Sequence, residues 1–280
     1  MEIKNWIEVI GKFMRDEKFE LPLPGPTYQK VQRFMGEKNL DIREVEKLIN
    51  YDQSLTIRVL RMANSAFYRG WQKVATVREA IMRLGTNEVM NILLLIAQRE
   101  NFSAQDPWVS KMMHKLWQHS VASAVGAQWI ARNCRFRSLQ QEAFVGGLLH
   151  DVGMSFLMTV VEKIKLKGGS GLPLDEEAIR QVLNVLHTEN GYSLLNKWHL
   201  PEAYCSVARN HHREEIDPND ELLVIVRLAN LACHKMEIGL MAEPSLILGS
   251  RAEVTWLAFS EEALTRLQAK VEEAVLLTSL

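Results

Sequence analysis

Gly146-Gly147-Leu148-Leu149-His150-Asp151-Val152-Gly153 is the most telling stretch of this 280-residue chain. An imidazole beside a carboxylate is a natural start for a metal site, and glycines on both sides let other groups approach the backbone closely. The pair has company along the chain. His119 lies upstream in Leu116-Trp117-Gln118-His119-Ser120, and His187 lies downstream in Leu186-His187-Thr188-Glu189. His211-His212 then ends a helical run. Five of the eight histidines hold these positions.

Outward from this stretch the chain reads as helix nearly throughout. Apolar residues recur at i, i+3, i+4 and i+7, and no long β-branched alternation appears. Asp41, Thr76 and Ser138 stand where helix caps belong, each with Glu or Gln three residues on. Asp106-Pro107 reads as a cap followed by a first-turn proline, Pro201 as another first-turn proline, Gly85 as a stop and Thr86 as the next cap. Leu21-Pro22-Leu23-Pro24-Gly25-Pro26 is an extended lead-in that cannot be helical. Lys163 to Gly171 reads as a flexible basic loop, and Ser260 to Leu280 as an amphipathic helix. The break at Gln105-Asp106-Pro107 divides a first helical layer, residues 1–104, from a second, 105–280, that carries every candidate ligand. A single core across the break is equally compatible with the pattern.

Composition sets bounds. Lys plus Arg number 33 and Asp plus Glu 34, a balance that argues against nucleic-acid binding driven by bulk charge. Cys134, Cys205 and Cys233 form no CxxC and read as buried thiols of a reducing compartment. The N-terminus reads as an amphipathic segment and not a signal peptide, and no run of about 18 apolar residues occurs. A cytoplasmic protein without a membrane span is expected.

The chain resembles the HDOD family, a regulatory branch of the HD superfamily of metal-dependent phosphohydrolases, over roughly residues 18 to 215. The first half matches at Leu21-Pro22-Leu23-Pro24, Ile49-Asn50-Tyr51-Asp52-Gln53-Ser54-Leu55, Val59-Leu60-Arg61-Met62-Ala63-Asn64-Ser65-Ala66 and Ala80-Ile81-Met82-Arg83-Leu84-Gly85. The second half matches at His119, at Gly147 to Gly153, at Trp198-His199-Leu200-Pro201 and at His211-His212. The resemblance implies an all-α fold: an HD-like helical bundle with an added N-terminal helical subdomain. It also implies a role in bacterial signal transduction. Three departures bear on chemistry. Catalytic relatives close the metal site with an aspartate where this chain has Asn230. The related multi-metal phosphodiesterases place a glutamate at the position of Lys115 and a lysine near Met154. Their Gly-Tyr-Pro stretch is absent after His212, so cyclic di-GMP hydrolysis lacks its machinery here.

The residues expected at a metal are His119, His150, Asp151 and a degenerate Asn230, joined by His187, His211 and His212. Asp151 is the candidate catalytic group. Lys115, one turn from His119, is a candidate ligand-binding cation. Turned inward, it would oppose a second metal electrostatically. One weakly held divalent transition metal, Mn, Fe, Ni or Zn, is the expected cofactor. The competing reading makes His150 and Asp151 a buried hydrogen-bonded pair without metal, and His187, His211 and His212 helix caps. His114, His199 and His234 read as ordinary, and the tryptophans at helical spacing as core. The function expected is a regulatory module that binds a signalling protein or a nucleotide with little or no catalysis. The alternative is a metal-dependent phosphohydrolase acting on a nucleotide or another phosphoester.

Overall fold

A computed structural model of the chain describes residues 2–16, 20–32, 41–68, 70–167, 175–215 and 217–279. Of these, 75% are helical and none lies in a strand. The all-α expectation therefore holds. The chain forms two compact units. The larger comprises residues 1–23 and 102–272, and the smaller comprises residues 24–101 and 273–280.

Leu21 to Gly25 is non-helical, as its prolines require, and runs from the larger unit, which also holds α1 (Glu2–Met14), into the smaller, where α2 (Pro26–Gln32) begins at the last of those prolines. There follow α3 (Ile42–Asn50), α4 (Gln53–Ala63), α5 (Val77–Leu84) and α6 (Thr86–Arg99). Asp41 and Asp52 cap α3 and α4 through their carboxylates. Thr76 accepts from Glu79 N at 3.1 Å, while Glu79 accepts from Ala75 N at 2.7 Å. Gly85, at φ 85°, ends α5. Thr86 turns out to be the first residue of α6, not its cap, and no side chain caps that helix. The α6 run Val89 to Gln98 is buried throughout, so the hydrophobic string Ile92 to Ala97 is core.

The larger unit contains α7 (Pro107–Asn133), α8 (Gln140–Leu149), α9 (Val152–Leu166), α10 (Glu176–Lys197), α11 (Glu202–Asn210), α12 (Glu221–Lys235), α13 (Ala252–Trp256) and α14 (Glu261–Ala274). Helix α7 packs against α8, α9 and α12, and α10 packs against α9 and α11. The N-terminal helix also joins this unit, because Trp6 and Ile10 bury themselves where α1 meets α9 and α10. Asp106 caps α7 as expected. Ser138 does not cap α8, which follows directly on a 3-10 turn, and Pro201 stands one residue before α11 and not in its first turn. Lys163 and Lys165 lie in the last turn of α9 instead of a loop, where their charge complements the helix dipole; Lys165 pairs with Asp106. Residues 168–171 of that proposed loop, and Leu280 of the tail, lie outside the described residues. Residues Arg137–Leu166 are long and apolar enough to cross a membrane, but 94% of the relevant window is buried inside the protein, as in a core helix.

Candidate metal centre

The site forms where α7, α10, α11 and the α8–α9 junction converge. His119 sits in α7 and His187 in α10; His150 and Asp151 fill the junction between α8 and α9; His211 follows α11 directly. All five are at least 95% buried. Two close approaches bring the helices together. A Cβ on Gly153 would lie 2.0 Å from the carbonyl oxygen of His187, so only glycine lets α9 and α10 cross here. Gly239, at φ 111°, lies so near His119 that a Cβ would come within 2.9 Å of the histidine Cβ and 3.1 Å of its ring.

Each of four imidazoles is fixed by a backbone carbonyl at Nδ1. The acceptors are Ile238 O for His119 (3.1 Å), Gly147 O for His150 (2.8 Å), Leu183 O for His187 (2.9 Å) and Ala208 O for His211 (3.0 Å). A carbonyl can only accept, so Nδ1 carries the hydrogen. In the neutral ring this leaves Nε2 as a bare lone pair. Burial lowers the pKa of His150 and, more strongly, of His211, which keeps both neutral. Burial opposes ionisation of Asp151; what holds its carboxyl well below the ordinary range is positive charge on His150 and hydrogen bonds from His119 and His211, so rings that are neutral and hydrogen-free at Nε2 leave that part to a bound cation.

The bare nitrogens face Asp151 in two triangles. In the first, His119 Nε2 and His150 Nε2 are 3.2 Å apart and lie 3.3 and 3.5 Å from Asp151 Oδ2. In the second, His187 Nε2 and His211 Nε2 are 3.3 Å apart and lie 3.4 and 3.1 Å from Asp151 Oδ1. Two donors each ~2.1 Å from one ion are about 3.0 Å apart at a right angle and about 3.4 Å apart at the tetrahedral angle. The triangle edges match these values. His212 brings a further nitrogen to the second group. Imidazole with carboxylate suits a divalent transition metal, so the donor set fits such an ion.

The two triangles differ in access. Leu116, Met154, Leu240 and Met241 close over His119 and Asp151, leaving no room for a water molecule. The second side opens into a cleft of about 350 Å³ lined by His211, His212, Asn230, His234 and three arginines. Asn230 is 3% exposed, and its Oδ1 accepts no hydrogen bond. The tandem-histidine turn is pinned by buried Arg227, which donates to His211 O and Arg213 O at 2.7 Å each and to Glu253 Oε1 at 2.8 Å.

A sequence profile of the HDOD domain matches residues 21–214. The chain belongs to the HDOD domain family. Solved structures bear out the HDOD fold at identities that speak for fold alone. An HDOD domain protein of unknown function from Geobacter sulfurreducens superposes with a TM-score of 0.72 at 21% identity, covering 97% of this chain and 99% of that one. A "putative metal-dependent phosphohydrolase" from Shewanella amazonensis SB2B gives 0.70 at 18% identity, covering 99% and 100%. A "putative signal transduction protein" from Marinobacter aquaeolei VT8 gives 0.68 at 19% identity, covering 99% and 66%. An uncharacterized protein of Treponema pallidum (strain Nichols) is 21% identical over 238 residues; the HDOD chain aligns over 82% of its own length and spans 45% of that relative.

The sequence expectations meet this geometry unevenly. His119, His150, Asp151, His187, His211 and His212 are brought together, and His187 is a mid-helix residue of α10 and not a cap. Lys115 is not at the site. Its ammonium reaches outward to Glu176 at 2.8 Å, because a buried unpaired lysine would be costly and a carboxylate is available at the start of α10. The electrostatic objection to a second metal falls with it. His234, which read as ordinary, stacks on His119 with ring centroids 5.6 Å apart, and burial lowers its pKa to about 3. The only sign of it in the sequence was its place one helical turn after Asn230.

Proposed function

We propose that this HDOD domain is a regulatory module of signal transduction. In this reading its helical core holds divalent transition metal on the two triangles that share Asp151, and any phosphoester hydrolysis is slow. The observation that carries it is the set of four Nε2 lone pairs directed at one carboxylate. Two nitrogen lone pairs 3.2 or 3.3 Å apart repel each other unless a proton or a metal cation lies between them. His119, His150 and Asp151 Oδ2 would hold one ion under an apolar cover. His187, His211 and Asp151 Oδ1, with His212, would hold a second beside the cleft.

A metal at such a site supplies Lewis acidity and lowers the pKa of a bound water toward neutrality. The chain's own part is to orient the donors through backbone carbonyls, exclude water from the first triangle and admit ligand to the second. Slow turnover follows from charge: Asp151 is the one carboxylate among these ligands, and Asn230 offers a neutral amide where an aspartate would hold a cation more firmly. A signalling role agrees with the description of the Marinobacter structure, and the metal with that of the Shewanella one.

The test is cobalt(II) titration of metal-free protein followed by calorimetry and visible absorption, with manganese-supported cleavage of p-nitrophenyl phosphate in parallel. Two binding steps and slow cleavage are expected, with Asn230→Asp raising both affinity and rate by about tenfold or more. A flat titration would overturn the metal reading. Turnover of several per second by the unmodified protein would overturn the regulatory one.

A further inference from the structure

The cleft beside the second triangle has features the metal does not explain. Its wall carries the guanidinium groups of Arg180, Arg227 and Arg251 against the single carboxylate of Glu243. Arg227 is committed to Glu253 and to two carbonyls. The other two are not committed in that way. Among the described residues Arg180 pairs with Glu177, an exposed partner one helical turn away on its own helix, in an ion pair of the kind that contributes little. Arg251 Nε is buried and makes no hydrogen bond; the nearest carboxylate oxygen, Glu253 Oε2, stands 3.9 Å away. Asn230, almost fully buried on the same wall, also leaves its Oδ1 without a donor, an acceptor open to the second ion or to a ligand hydroxyl. Unsatisfied buried polar groups are costly, and two at one cleft mark a place where a ligand completes them.

We infer that the cleft binds a small phosphomonoester, with Arg180 and Arg251 as its phosphoryl clamp and as the residues that set specificity. The inference deepens the proposed function and rests on it for the adjacent ion. Planar guanidinium groups suit phosphoryl oxygens, and two of them complement a dianion, the charge of a monoester near neutral pH. A diester carries a single negative charge per phosphate. Size points the same way, since about 350 Å³ is near the lower end of the range for small-molecule sites. One phosphoryl group on a compact body matches that volume better than a cyclic dinucleotide does. Glu243 and Asn184, on the rim, are suited to hydroxyl groups of that body. Among the described residues no Trp, Tyr or Phe lines the cleft.

The experiment is calorimetric titration of the full chain with glycerol 2-phosphate and, separately, with cyclic di-GMP. The proteins are wild type, Arg180→Met, Arg251→Met and Arg251→Lys, each in manganese-loaded and metal-free form, with metal content measured on every sample. The expected result is binding of glycerol 2-phosphate that weakens about tenfold or more in either methionine variant. Arg251→Lys should recover part of the loss, and metal content should be unchanged across the set. Binding that persists without metal and still depends on the two arginines would support the clamp even as the metal reading failed. The clamp is overturned if loaded protein binds no glycerol 2-phosphate, if the methionine variants bind it as wild type does, if they lose metal in parallel, or if cyclic di-GMP binds more tightly.

Discussion

His119 Nε2 stands 3.2 Å from His150 Nε2, with the opposite nitrogen of each ring tied to a carbonyl, of Ile238 and of Gly147. The two histidines lie 31 residues apart, on α7 and just after α8. Helix packing has placed two lone pairs face to face inside the protein, with a carboxylate completing the triangle. Left empty, such an arrangement is unfavourable; around a cation it is a coordination shell.

Replacing Gly153 by alanine should test how the second triangle is built. The new methyl would overlap the His187 carbonyl oxygen and force α9 and α10 apart. The expected cost is about 1–3 kcal/mol of stability, as for other overpacked contacts. Metal affinity should fall as well, since His187 moves with α10. Urea unfolding with and without metal reads both effects. An unchanged protein would mean that the close crossing does not position His187.

Glu253 and Arg227 form a buried pair, and Arg227 also carries the carbonyls of the turn bearing His211 and His212. Glu253→Gln leaves the arginine charge without its counter-ion. Breaking one side of a buried pair typically costs several kcal/mol, and a loss of about 3 kcal/mol is expected here. Thermal unfolding of metal-free variant and wild type measures it. Equal midpoints would show that the pair contributes nothing to holding the turn.

The pH dependence of the metal-free protein has a definite sign. Burial lowers the pKa of His150 and His211 from the ordinary 6.5, so the unfolded chain takes up protons below that pH while the native state does not. Stability is therefore fully present above pH 6.5 and falls as pH drops below it, by up to about 1.4 kcal/mol per unit for each histidine. Urea midpoints at pH 8, 7, 6 and 5 should be level between the first two and then decline. A midpoint that rises on acidification would show that these histidines are charged in the native protein.

Much of this was legible in the sequence because it depends on local rules. Asp41, Thr76 and Asp106 announced their helices through capping chemistry that acts within four residues. The HDOD motifs marked His119, His150, Asp151 and the tandem histidines, which three-dimensional packing then brought together. What was not legible depended on direction and on distant neighbours. Helical spacing placed Lys115 on the His119 face, but whether it turned inward depended on Glu176, 61 residues away, which draws it out. His234 looked like an ordinary helix residue because its neighbour, His119, lies in another helix. The short 3-10 turn before α8 displaced the expected Ser138 cap, since tertiary packing can override a capping pattern.

The most direct test is elemental mass spectrometry of the full chain, purified without chelator and dialysed against manganese, iron or zinc, beside Asp151→Asn. Expected are between one and two transition-metal ions per wild-type chain, because each oxygen of Asp151 faces its own pair of imidazoles. The Asp151→Asn protein, which lacks the shared anion, should hold less than about a tenth of that. Wild-type protein that stays metal-free in all three preparations, or an Asp151→Asn variant that binds metal as well as wild type, would contradict a metal centre built on Asp151.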